Sequence, residues 1–217
     1  MGTAVVQLLV LAGIAIFLIL RLRSVLGTRE GFEKPPAPIE RRAADKGFEV
    51  IEGGPDRDIT DHVNEGSAAA KALSGMKREE PSFSVTEFLG GARSAYEMIL
   101  MAFENGDMSD VKGFLSDDVA EAFEGVIEDR KSKGLHIEAT FVGVRETAVY
   151  EAEFDEKSKL AEISVKFVGE LTSVVKNAEG EVVEGSANEI KRQRDVWTFA
   201  RTLGSKDPNW QLVATGE

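Results

Sequence analysis

Residues 4–20 read AVVQLLVLAGIAIFLIL, a run without charge whose one polar side chain is Gln7. Such a run offers no face for water to wet, which excludes a surface helix of a globular domain. As a helix, its 17 residues rise about 25 Å, and Thr3 to Leu22 about 30 Å, the thickness of a bilayer's hydrocarbon core. The sequence therefore predicts a membrane span that contains Ala4, Leu8, Leu11, Phe17 and Leu20.

A cleaved signal peptide would carry basic residues before its apolar run and a small-residue cleavage box after it. Here Arg21-Leu22-Arg23 follows the run instead, so an uncleaved anchor over residues 1–24 is expected. Lys and Arg collect on the cytoplasmic side of a span. With Arg21, Arg23 and Arg29 all C-terminal to it, the N-terminus is expected outside and the rest of the chain in the cytoplasm.

Charge is unevenly distributed along the chain. Between Arg21 and Lys46 seven basic residues face four acidic ones, a balance of +3, while residues 47–217 hold 19 bases and 34 acids, a balance of −15. Binding to phosphate backbones needs concentrated Lys and Arg, so nucleic acid is not an expected partner. The absence of cysteine excludes disulfides, thiol nucleophiles and thiolate metal sites.

Residues 25–80 read as a flexible linker. Pro35, Pro36, Pro38 and Pro55, with glycines and mixed charges, interrupt every apolar period. A flexible connector of this size reaches on the order of 40 Å. Within it Ala68–Met76 has the composition of a short amphipathic helix, a candidate for contact with membrane or partner.

A folded domain is expected over residues 81–217. Ser84 and Glu87 fit a capping box. Behind them Val85, Phe88, Leu89, Ala92, Tyr96, Ile99, Leu100 and Phe103 recur at three- and four-residue steps, one apolar face of a long helix that stops at Asn105-Gly106. Ser116 caps another helix, which ends in Arg130, Lys131 and Lys133 before Gly134. The period then changes to two: Leu135–Phe141, Ile163–Leu171, Val196–Arg201 and Trp210–Ala214 read as strands, with a hairpin turn at Asn177–Gly180. Helices followed by strands give an α+β domain with an antiparallel sheet.

No P-loop, GxGxxG, GxSxG or HExxH occurs, and the two histidines, His62 and His136, stand apart in the sequence. The reading calls for no enzyme, no cofactor and no metal.

The helix carrying Phe88, Ala92, Tyr96, Ile99 and Phe103 is followed by Gly106-Asp107 and Leu115-Ser116, then by the strand Ala161–Phe167. The chain closes on Arg194-Asp-Val-Trp197-Thr-Phe-Ala-Arg201 and Pro208-Asn-Trp210-Gln-Leu212. Together these resemble the Tim44-like family, the C-terminal domain of the mitochondrial inner-membrane import-motor scaffold, over residues 80–217. The resemblance implies a cone-shaped domain similar to nuclear transport factor two, with helices packed on a curved antiparallel sheet around an apolar pocket. It implies no catalytic residue. It also implies partners in membrane-protein complexes or translocation machinery, with anionic lipid as a further one. The chain departs from the mitochondrial members in having a hydrophobic span and in lacking their long N-terminal region, through which they engage a chaperone. Chaperone recruitment is therefore not carried over. Both departures suit a bacterial, alphaproteobacterial relative in the inner membrane.

Phe88, Tyr96, Phe103, Trp197 and Trp210 are the candidate pocket residues. The leading expectation is a membrane-anchored adaptor that binds protein partners. The alternatives are a lipid- or acyl-chain-binding domain and, third, a hydratase or isomerase in the same fold.

Overall fold

The computed structural model describes residues 54–216. The expected span and the first part of the expected linker lie outside these residues. Among the described residues no helix is long and apolar enough to cross a membrane.

Four helices precede four strands: α1 Arg57–Thr60, α2 Ala68–Glu79, α3 Val85–Asn105 and α4 Asp117–Ser132, then β1 His136–Asp155, β2 Leu160–Lys176, β3 Val182–Thr202 and β4 Gln211–Gly216. A 3-10 turn at Lys112–Phe114 connects α3 to α4. The strands form one antiparallel sheet in the order β1-β2-β3-β4. This matches the α+β class expected from the change of period.

The local signals act where the sequence places them. Ser84 Oγ accepts from the Glu87 amide, and Gly106 closes α3 in the left-handed conformation. Ser116 caps α4, with Asp117 and Asp118 in its first turn and Arg130 and Lys131 in its last. The Asn177–Glu181 turn links β2 to β3.

The linker expectation fails between residues 57 and 79. Both α1 and α2 belong to the folded domain, and Ile59, Leu73 and Met76 are buried in its core. The apolar side of α2 lies on β1, where Gly75 lets the Phe154 ring approach so closely that a Cβ would meet it at 2.9 Å. That face is covered by the domain's own sheet rather than by membrane or partner. Gly75 makes the closest approach to the sheet, while Leu73 and Met76 supply the buried apolar side chains.

Around α3 the core is aromatic. Tyr96, Ile99 and Val85 are fully buried against Ile163, Val165 and Phe167 of β2 and Trp197 and Phe199 of β3. The strands are long and broken by register shifts, three in the β1–β2 ladder and two in the β2–β3 ladder. Such bulges bend strands and increase their twist. At the sharpest of them Leu171 opposes Lys191 while Ser173 opposes Ser186, so β3 extrudes Ala187–Ile190.

Candidate functional site

Along α3 the side chains at Glu87, Phe88, Gly91, Ala92, Ala95 and Met98 share one stripe that lines a recess. Gly91, Ala92 and Ala95 are too small to fill the space in front of β3 and β4. The result is a cavity of about 350 Å³ between α3, the segment before it, and the strand ends at Phe199, Arg201 and Trp210.

Its wall is a cluster of four rings. Phe88 and Trp210 lie 4.7 Å apart between centroids, Phe83 lies 5.9 Å from Trp210, and Phe199 meets Phe88 edge-on at 6.1 Å. These spacings are those of favourable aromatic pairs. Phe114 from the 3-10 turn, with Pro208 and Asn209 before β4, completes the rim.

One ion pair closes this wall. Arg201 Nη2 donates to Glu80, whose other oxygen accepts from the Gly204 amide at 3.3 Å. Arg201 Nη1 donates to the Pro208 carbonyl at 3.0 Å, and the guanidinium lies 5.3 Å from the Trp210 ring centroid. The Arg201 side chain is 10% exposed. Burial opposes ionisation of Glu80, but Arg201 and the Gly204 amide outweigh it and hold the carboxyl below the usual glutamate range.

The five expected pocket residues fall in three places. Phe88 and Trp210 line the cavity. Tyr96 and Trp197 sit 4.7 Å apart inside the core, with Tyr96 stacked on Phe167 at 4.4 Å. Phe103 lies toward the far end of α3, 4.9 Å from Phe123 and 4.2 Å from the Arg130 guanidinium. Three α3 residues seven or eight positions apart share a face but are spread along two turns or more each, too far to meet one ligand.

Phe83, Glu80 and Arg201 are additions to the expected set. Arg201 shares the parity of Trp197 and Phe199 on β3, and that alternation was the available signal. Glu80 carried none, because its partner is 121 residues away.

A second, polar recess lies near Phe103. It is lined by Glu104, Arg130, Lys191 and Gln193 over Leu135, Ile137 and Leu171. Burial raises the Glu104 carboxyl above its ordinary value, offset in part by Arg130 and Lys191. His62 bonds Thr86 at 2.9 Å, and His136 is exposed at the start of β1. No group of three or more acidic or histidine side chains among the described residues is placed to hold a metal ion.

Residues 69–217 match the Tim44-like domain. Over 147 residues, 66% of this chain, the sequence is 22% identical to mitochondrial import inner membrane translocase subunit TIM44 of Homo sapiens, and the match spans 32% of that protein's length. Among solved structures, the intermembrane space region of the chloroplast protein ARC6 is similar over 60% of this chain and 92% of its own, at 11% identity and a TM-score of 0.39. The matched segment takes in α2, the aromatic cavity and the closing strands, and on that match the chain belongs to the Tim44-like domain family.

Proposed function

We propose that this protein is a membrane-anchored, non-catalytic adaptor whose domain binds protein partners of inner-membrane translocation, biogenesis or complex assembly. The observation that carries this reading is an accessible aromatic recess, framed by Phe83, Phe88 and Trp210, in a domain of the Tim44-like family. The name of the human relative, a translocase subunit, supports it. The apolar run over residues 4–20 supplies the anchor, and tethering raises the local concentration of the domain near membrane partners without any new contact.

Arg21, Arg23 and Arg29 support an orientation with the N-terminus outside and the domain in the cytoplasm of a bacterial, alphaproteobacterial cell. Protease added to spheroplasts should spare the domain, and cleavage of it there would reverse the orientation.

Crosslinking in intact membranes, followed by purification in several detergents, should return the same inner-membrane partners each time. Recovery of the chain alone throughout would sink the adaptor reading. A second reading, acyl-chain binding, is favoured by the apolar lining of the same recess. Mass spectrometry of the purified full chain would show a stoichiometric lipid if it holds.

A further inference from the structure

β3 is 21 residues long, but β4 pairs only with its Val196–Ala200 portion. Among the described residues, the backbone of Lys191–Asp195 therefore bonds to β2 on one side and to no strand on the other. A strand edge in this state is a template for a further chain. Just before it β3 extrudes Ala187–Ile190, so the free stretch is short, about 17 Å.

Alternate side chains of this stretch serve the two faces of the sheet. Arg192 and Arg194 are exposed on the face away from the helices, opposite to buried Trp197 and Phe199. There Arg192 and Arg145 share the one buried carboxylate of Glu170, at 3.0 Å and 2.6 Å, which leaves one positive charge over. Arg194 has no ion-pair partner among the described residues and adds a second, while the neighbouring Lys166 is matched by Glu146 at 3.1 Å. Residues 47–217 carry −15 in all, so this local excess stands against the domain's own sign. On the helix side Lys191 and Gln193 border the recess of about 340 Å³ floored by Leu135, Ile137 and Leu171.

We propose that the Lys191–Asp195 edge is a docking site for an extended, acidic segment of a partner protein, which adds to the sheet beside β3. The segment's backbone bonds to the free edge. Its acidic side chains, two positions apart, pair with Arg192 and Arg194, and the residue between them turns toward the recess. Main-chain bonds thus supply affinity and the alternating side chains supply selectivity. A lipid surface fits less well: headgroups use none of the edge's backbone groups, and an anionic bilayer repels a segment of −15. The aromatic recess takes no part, so this site goes beyond the adaptor reading and is tested apart from it.

The test titrates the full chain in phosphatidylcholine nanodiscs with fluorescein-labelled heptapeptides that alternate Glu with Val, Leu or Ile. Hydrogen exchange of Lys191–Asp195 is followed by mass spectrometry. A peptide of the pool should bind and slow exchange there. Arg194→Glu should weaken the best peptide about tenfold. Lys157→Glu, an equal change of charge on the exposed β1–β2 turn, should leave it unchanged. An added strand directs only every second amide at its neighbour, so N-methylation at alternate positions should abolish binding in one series and spare it in the other. The proposal is overturned if no peptide of the pool binds, if the two variants weaken binding alike, or if both methylated series bind as the parent does. It is equally overturned if phosphatidylglycerol vesicles slow exchange at this edge and the peptides do not. Membrane crosslinks that persist beside any of these failures leave the adaptor reading standing.

Discussion

The Tyr96 hydroxyl donates to Asp195 across 2.5 Å in the buried centre of the domain, tying the middle of α3 to β3. Gln193 donates to the other carboxylate oxygen at 3.0 Å. Burial, then the neighbouring Asp195 charge, pushes the tyrosine hydroxyl above its ordinary pKa, so it remains a donor throughout the physiological range. Tyr96→Phe leaves a buried carboxylate oxygen without its partner. The expected cost is about 2 kcal/mol, read from the urea midpoint of the full chain followed by tryptophan emission.

Gly169 is bound to the same pair. A Cβ at that position would lie 2.6 Å from the Tyr96 oxygen and 3.0 Å from its ring. Gly169→Ala should cost about 1–3 kcal/mol through overpacking. Combined with Tyr96→Phe, the loss should be smaller than the two single losses added, because removing the hydroxyl removes the closest clash. Strict additivity in this double-mutant cycle would contradict the packing described.

Asp58 staples the start of α3 to α1. Its carboxylate accepts from the Val85 amide at 2.8 Å and the Thr86 amide at 3.0 Å, and Lys77 lies at 2.8 Å. Burial opposes ionisation, but Lys77 and the Thr86 and Val85 donors prevail and hold the pKa well below the usual aspartate range. The unfolded chain therefore takes up this proton more readily than the folded one. The stabilisation is complete above about pH 4, the unfolded value, and is lost as pH falls toward the folded value. Asp58→Asn should flatten the stability profile between neutral pH and pH 3 or so. An unchanged acid slope would show that other carboxylates govern it.

Gly180 and Gly185 both have φ of +82°, but only Gly185 is enclosed: a Cβ there would lie 2.1 Å from the Ser173 carbonyl oxygen, while at Gly180 nothing lies within 4 Å. Gly185→Ala should exceed the roughly 1 kcal/mol left-handed penalty expected of Gly180→Ala by about 2 kcal/mol or more. Comparing the two melts separates the steric contribution from the conformational one. Equal losses would mean that the extruded Ala187–Ile190 segment yields freely.

Much of this domain was legible because its signals are local. A serine three residues before a glutamate, a 3.6-residue apolar stripe, a glycine after basic residues and a change to period two are each dictated by hydrogen bonding and side-chain direction within a few residues. They yielded α3, α4, the four strands and the α+β class. The alternation in β3 likewise put Arg201 on the face of Trp197 and Phe199. The membrane anchor, too, is an expectation of sequence alone, since length and apolarity are all that a span requires.

Tertiary structure decided what depends on neighbours distant in sequence. It drew α2 into the core, where Leu73 and Met76 are buried and Gly75 meets the Phe154 ring, a fit that no hydropathy pattern records. It divided five aromatic candidates among three places, because a helix of 21 residues spreads one face along its whole length. And it set Glu80 against Arg201, leaving one buried donor free beside Trp210. Periodicity specifies which side of an element is buried; only packing specifies against what, and where the small residues leave space.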